Sequence, residues 1–135
     1  MNRGKVYFIG AGPGDYKLLS LKAAERIRRA DVLVYDCLID DRLLSVARTG
    51  SELIYVGKKT DEHTLSQDEI NKLLVRLSTA GKTVVRLKDG DPFVFGHGGE
   101  EALYLNEHGV PFEVIPGIIS AIAVPSYAGI PVTHQ

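Results

Sequence analysis

Short apolar runs alternate with amphipathic stretches along this chain, and the alternation orders its elements. Lys5 to Ile9 is an apolar run closed by the glycine cluster Gly10-Ala11-Gly12-Pro13-Gly14-Asp15, which predicts a buried strand. Ser20 stands as an N-cap before LKAAERIRRA, and DVLVY, Asp31 to Tyr35, predicts a second strand. A short helix is expected near Asp41 to Arg48 and a third strand over Leu53 to Val56. Ser66-Gln67-Asp68-Glu69 has the spacing of a capping box, Ile70, Leu73, Leu74 and Leu77 follow on one helical face, and Gly81 lies past the end as a stop. Thr83-Val84-Val85 predicts the fourth strand. A helix from about Gly98 to His108 follows, stopped by Gly109, and then a fifth strand over Phe112 to Ile115. The final IISAIAVPSYAGIPVTHQ begins as a small-residue helix and is expected to break at Pro125.

Strands alternating with helices predict an α/β fold, a mostly parallel five-stranded sheet flanked by helices on both faces with right-handed crossovers. The loops that follow the strands then gather at one sheet edge, where open parallel sheets place their ligands. The stretch from Arg86 to Glu101, RLKDGDPFVFGHGGEE, reads as the principal ligand loop, because Pro92 and its glycines rule out a continuing strand. Asp89, Gly90 and Asp91 bring carboxylates and bare backbone beside the apolar Phe93, Val94 and Phe95, a mixture that suits a small organic ligand. Each residue also has a commoner use: Gly90 and Gly96 in turns, Asp91 as a cap, the two phenylalanines in the core. Asp36 ends the second strand either as an Asx turn or as a chemical group. Lys58 follows the third strand as a solvated lysine or as a proton donor and partner for a substrate carboxylate. Ile119, Ser120 and Ala121 stand where the fifth strand hands over to a helix N-terminus. The loop holding Pro13 lacks GxGxxG spacing, and Pro13 removes a backbone donor, which argues against a pyrophosphate cradle and hence against a dinucleotide oxidoreductase.

Composition narrows the classes. The 135 residues are one domain's worth of chain, 44% hydrophobic, enough for a real core. A formal net charge of -1, with the signs mixed, gives no basic stripe for nucleic acid or anionic membrane. The single cysteine, Cys37, excludes an intrachain disulfide, no Cys/His cluster has zinc-site spacing, and no export signal is evident, so a reducing cytoplasm fits.

The ordered set VYFIGAGPGD, ADVLVYDCLI, YVGKK, VVRLKDGDPFVFGHGGEE and VIPGIISAIAVPSYAGIPVTH resembles the tetrapyrrole methylases over nearly every residue, and GDPFVFG and GIPVTH point to their porphyrinoid branch. The resemblance implies a cytoplasmic, two-domain, homodimeric enzyme. It would use S-adenosyl-L-methionine, without a metal, to methylate uroporphyrinogen III to precorrin-2 on the way to siroheme and cobalamin. It further implies that this chain is the N-terminal half, with a C-terminal domain beyond it. Pro13, Asp89, Gly90, Asp91, Val94, Ile119 and Ser120 fall on donor-binding positions of the family, Asp36 on the proton acceptor and Lys58 on the proton donor. The sequence departs from the family at Asp89, usually glycine, at Ile119, often serine or threonine, and at His97 and Gln135, usually arginine. Two further readings are a non-catalytic half that serves folding or dimerisation, and a methylase of another precorrin.

Overall fold

The computed structural model describes residues 4–57 and 65–135. Among the described residues five strands form one sheet: β1 (Val6–Gly10), β2 (Val32–Tyr35), β3 (Glu52–Tyr55), β4 (Val84–Lys88) and β5 (Phe112–Ile115). Five helices accompany them among the same residues: α1 (Leu21–Arg29), α2 (Asp41–Leu44), α3 (Gln67–Thr79), α4 (Gly98–Glu107) and α5 (Ser120–Tyr127), with a 3-10 turn at Tyr16–Leu18. The strand order is β3-β2-β4-β1-β5 and every pairing between strands is parallel, which sharpens the expectation of a mostly parallel sheet.

Local signals built the helices as their chemistry dictates. The Ser20 Oγ accepts from the Ala23 N–H at 3.0 Å to start α1. Ser66 and Glu69 exchange side-chain and backbone bonds of 3.1 and 3.0 Å, completing the capping box of α3. Ile70, Leu73, Leu74 and Leu77 are buried as their spacing requires, each contributing about 1.5–3 kcal/mol. α4 is followed by His108 and then by Gly109, whose φ of 68° suits a residue without a side chain.

The sheet divides the core in two. Val6, Phe8, Val32, Val34 and Val84 face α3 and α4, whereas Tyr7, Ile9, Leu33, Val85, Leu87 and Ile115 face α1 and α2. This division follows from the handedness of crossovers. Connections running from β1 to β2 and on to β3 travel one way across the sheet; those from β3 to β4 and from β4 to β5 travel the other, so right-handed turns put their helices on opposite faces. Neighbouring strands β1 and β4 therefore mark the point where the connections switch faces, the place at which open parallel sheets put their ligand loops.

Three expectations are corrected. β4 does not end at Val85: it continues through Arg86, Leu87 and Lys88, all buried, so the loop begins at Asp89. The two charges are tolerated inside a strand because Glu101 reaches them from α4. α5 does not break at Pro125 but carries it internally. The proline forgoes one backbone bond, and the next turn is closed by Ala128 N–H to Val124 O at 3.1 Å and Gly129 N–H to Ser126 O at 3.1 Å. Phe93 and Phe95 are not core residues, being 55% and 94% exposed. Among the described residues no helix is long and apolar enough to cross a membrane.

Candidate active site

Three loops meet at the C-terminal ends of β1, β4 and β5. Gly12, after β1, and Gly90, after β4, exchange backbone bonds, Gly12 N–H to Gly90 O at 3.2 Å and Gly90 N–H to Gly12 O at 3.0 Å. Gly117, after β5, closes the third side. A Cβ on Gly10 would lie 2.5 Å from the Gly117 nitrogen, and a Cβ on Gly117 would collide with the Gly90 carbonyl oxygen, so both positions require glycine for close backbone approach. Asp91 ties the same loops together. Its Oδ1 accepts from the Phe93 N–H at 2.9 Å and its Oδ2 from the Gly117 N–H at 3.0 Å.

Two cavities flank this junction. One, of about 130 Å³, is lined by Asp89, Gly90, Val94, Phe95, Ile119, Ser120 and Ala121. The other, of about 210 Å³, is lined by Asp36, Leu38, Lys88, Asp89, Asp91, Val94, Phe95 and Gly96. Asp89, Val94 and Phe95 line both, so the two cavities adjoin at the loop after β4, one reaching toward the residues after β2 and the other toward those after β5. Ile119 caps α5 without a side-chain bond, leaving the first N–H groups of that helix at the cavity of Ser120 and Ala121.

The charged groups divide by environment. Asp36 is buried, and its Oδ1 accepts from the Leu38 N–H at 3.2 Å, so it makes the expected Asx turn while also lining the cleft. The Asp89 carboxyl, at the junction of the cavities, is pushed above the ordinary carboxylate value by desolvation and then by the Asp36 carboxylate, with the Gly90 N–H acting against both. Lys88 reaches the cavity from β4, and its Nζ bonds Glu101 Oε2 at 2.9 Å. The other Glu101 oxygen accepts from Arg86 Nε at 3.0 Å. Burial raises the Glu101 carboxyl, but Arg86 and Lys88 together outweigh it and hold the group below the carboxylate range.

The structure thus brings Asp36, Asp89, Gly90, Asp91, Val94, Ile119 and Ser120 to two adjoining cavities, Asp36 and Asp91 on the larger, Gly90, Ile119 and Ser120 on the smaller, and Asp89 and Val94 on both. Pro13 lies half-buried beyond Gly12 and is not among the residues lining these two cavities. Lys58 lies outside the described residues. Sequence reasoning missed the Arg86–Glu101–Lys88 cluster and the backbone packing of Gly10 against Gly117; the only prior signal for the cluster was the i, i+2 placement of two cations after Val84.

The residues fit a ligand that is both cationic and apolar: carboxylates at Asp36 and Asp89 face walls of Val94, Phe95 and Ile119. Residues 5–135 match the family model described as Tetrapyrrole (Corrin/Porphyrin) Methylases. The chain belongs to the tetrapyrrole methylase family. It is 60% identical over 132 residues to a uroporphyrinogen-III C-methyltransferase of Methanocaldococcus jannaschii, covering 98% of this chain and 54% of that protein. With a uroporphyrinogen-III C-methyltransferase of Bacillus subtilis it shares 58% identity over 98% of this chain and 51% of the relative. Among solved structures, the Thermus thermophilus uroporphyrin-III C-methyl transferase complexed with S-adenyl homocysteine superposes with a TM-score of 0.82 at 51% identity, over 98% of this chain and 54% of that one. The tetrapyrrole methylase fold is therefore present here as about half the length of the relatives it matches.

Proposed function

We propose that this chain is the donor-binding, proton-handling part of an S-adenosylmethionine-dependent methyltransferase that converts uroporphyrinogen III to precorrin-2 for siroheme and cobalamin synthesis. The observation that carries the reading is the sharing of Asp89, Val94 and Phe95 by two adjoining cavities, with Asp36 on one and Ile119 and Ser120 on the other. The relatives at 58% and 60% identity support the choice of substrate.

S-adenosylmethionine would supply an electrophilic sulfonium methyl. The residues of this chain would then align and solvate what reacts. Gly90 offers bare backbone beside Ile119; Val94, Phe95 and Ile119 offer apolar surface on which an apolar ring can rest; the α5 N-terminus offers N–H groups. Asp36, held in register by the Leu38 N–H, accepts the proton that the macrocycle gives up elsewhere when a pyrrole carbon takes the methyl group. Lys58 donates a proton or pairs with a substrate carboxylate. Pro13 and Asp91 shape the donor loops, Asp91 through its bonds to Phe93 and Gly117. A C-terminal domain closes the cleft, and two subunits form the working enzyme, in the cytoplasm.

Calorimetric titration with S-adenosylhomocysteine, with NAD as comparison, tests the donor site. Saturable binding of the first alone is expected; binding of NAD alone would overturn the reading. Turnover of uroporphyrinogen III by this chain, with and without the remaining half, then separates a self-sufficient domain from one that requires its partner domain.

A further inference from the structure

The cleft carries more negative than positive charge. Asp36, Asp89 and Asp91 line its larger cavity with Lys88, and the Lys88 ammonium is bonded to the buried Glu101. Asp91 and Asp36 are each committed to the fold, the first by Phe93 and Gly117, the second by Leu38. Asp89 stands apart. Its residue is exposed, it borders both cavities, and it precedes Gly90, whose φ of 62° turns the chain so that the carboxyl and the apolar walls of Val94 and Phe95 share the same space.

A carboxylate at a cavity distinguishes ligands that differ by one charge at one atom, and it does so more strongly once the bound ligand itself displaces water from the exposed apolar surface of Val94 and Phe95. Methyl transfer creates such a pair: when the S–CH3 bond breaks, its electron pair returns to sulfur, and a sulfonium cation becomes a neutral thioether. Resting on the donor site proposed above, we infer that Asp89 is a specificity-determining residue that favours the charged methyl donor over its demethylated product. The groups that face it act in known directions. Asp36 and Asp91 add negative field, Lys88 subtracts from it while held by Glu101, and the N-terminus of α5 opposes it from the facing wall. After transfer the attraction at sulfur is gone, so the same carboxylate that retains the donor lets the product leave.

The test is the ratio of two affinities, which a general loosening of the site does not move. Dissociation constants for S-adenosylmethionine and S-adenosylhomocysteine are measured by calorimetry for this chain and for Asp89→Asn, Asp89→Gly and Asp89→Glu. The preference for the charged ligand should fall by about threefold or more in the asparagine and glycine variants, the scale of a partly screened ion pair, and return with glutamate. An unchanged ratio with both ligands still bound overturns the inference and leaves the donor site standing. Failure of the unsubstituted chain to bind either ligand removes the donor site and the inference together.

Discussion

The Lys88 ammonium and the Glu101 carboxylate lie 2.9 Å apart, and Glu101 also accepts from Arg86 at 3.0 Å, so one acid on α4 serves two cations on β4. Arg86 and Glu101 are wholly buried and Lys88 is 5% exposed, which makes this the tie between the β4 strand and the helix that follows the ligand loop. Arg86 Nη1 further bonds the Val34 and Leu87 carbonyls at 3.4 and 3.3 Å. Removing the acid leaves both cations facing one another in the core. Glu101→Ala should therefore destabilise the fold by about 3–5 kcal/mol, read from the urea midpoint at pH 7.

The pH dependence of the same acid carries a definite sign. Its folded value is depressed below the ordinary 4.5, so its stabilisation is fully present above that value and is lost as pH falls through the folded one. Stability should decline on acidification below about pH 4.5, and Glu101→Gln should flatten that part of the curve while lying lower at neutral pH. Urea melts at a series of pH values check both.

The glycine junction makes a prediction about rank. A methyl group at Gly117 meets the Gly90 carbonyl oxygen and the Gly10 backbone, neither of which can turn aside. At Gly90 the new methyl would find Ile119 Cγ2 at 3.5 Å, an ordinary contact, and only the backbone φ of 62° is unfavourable. Gly117→Ala should then cost more than Gly90→Ala, about 2–4 against about 1–2 kcal/mol. Equal losses in urea unfolding would show that the three loops separate more freely than their contacts suggest.

Much of this architecture was legible because its causes are local. The capping box at Ser66 and Glu69 and the stripe from Ile70 to Leu77 need only a few residues of sequence to specify them, and the strand Phe112–Ile115 was bounded by turn residues on either side. What escaped depends on distant partners. Arg86 and Lys88 read as the start of a loop, since nothing adjacent justifies burying two cations; their justification is Glu101, in the next helix. Gly10, Gly90 and Gly117 are visible as glycines, but their mutual contact arises from a strand order that brings β5 beside β1 and β1 beside β4. Pro125 stays in its helix because flanking turns supply the bonds that a single-residue rule does not count.

Asp91 was expected as a ligand residue or a cap, and its bonds give it a positioning task that can be measured. It accepts two backbone N–H groups, one from its own loop and one from Gly117. Asn offers only one acceptor oxygen and sets an N–H against the other donor, so Asp91→Asn should lose nearly as much as Asp91→Ala, about 1–3 kcal/mol. S-adenosylhomocysteine affinity should fall in both, because the loops after β4 and β5 line the same cavity. Stability restored by asparagine would mean that one of the two bonds carries no weight.

Asp36 separates a structural role from a chemical one within a single side chain. Its Oδ1 accepts from the Leu38 N–H at 3.2 Å, a bond that an asparagine carbonyl reproduces, while the second oxygen and the negative charge remain for the cleft. Asp36→Asn should keep the melting behaviour and the affinity for S-adenosylhomocysteine close to those of the unsubstituted chain. An amide cannot accept the proton displaced from the macrocycle on methylation, however, so methyl transfer in the complete enzyme should fall by about 10²–10⁴. Asp36→Ala removes the turn as well and should lose stability on top of turnover. If asparagine instead sustains full turnover while alanine fails, the residue acts through its turn alone, and the base must be sought among the other groups of the cleft, with Asp89, whose carboxyl already lies above its ordinary value, the first to replace.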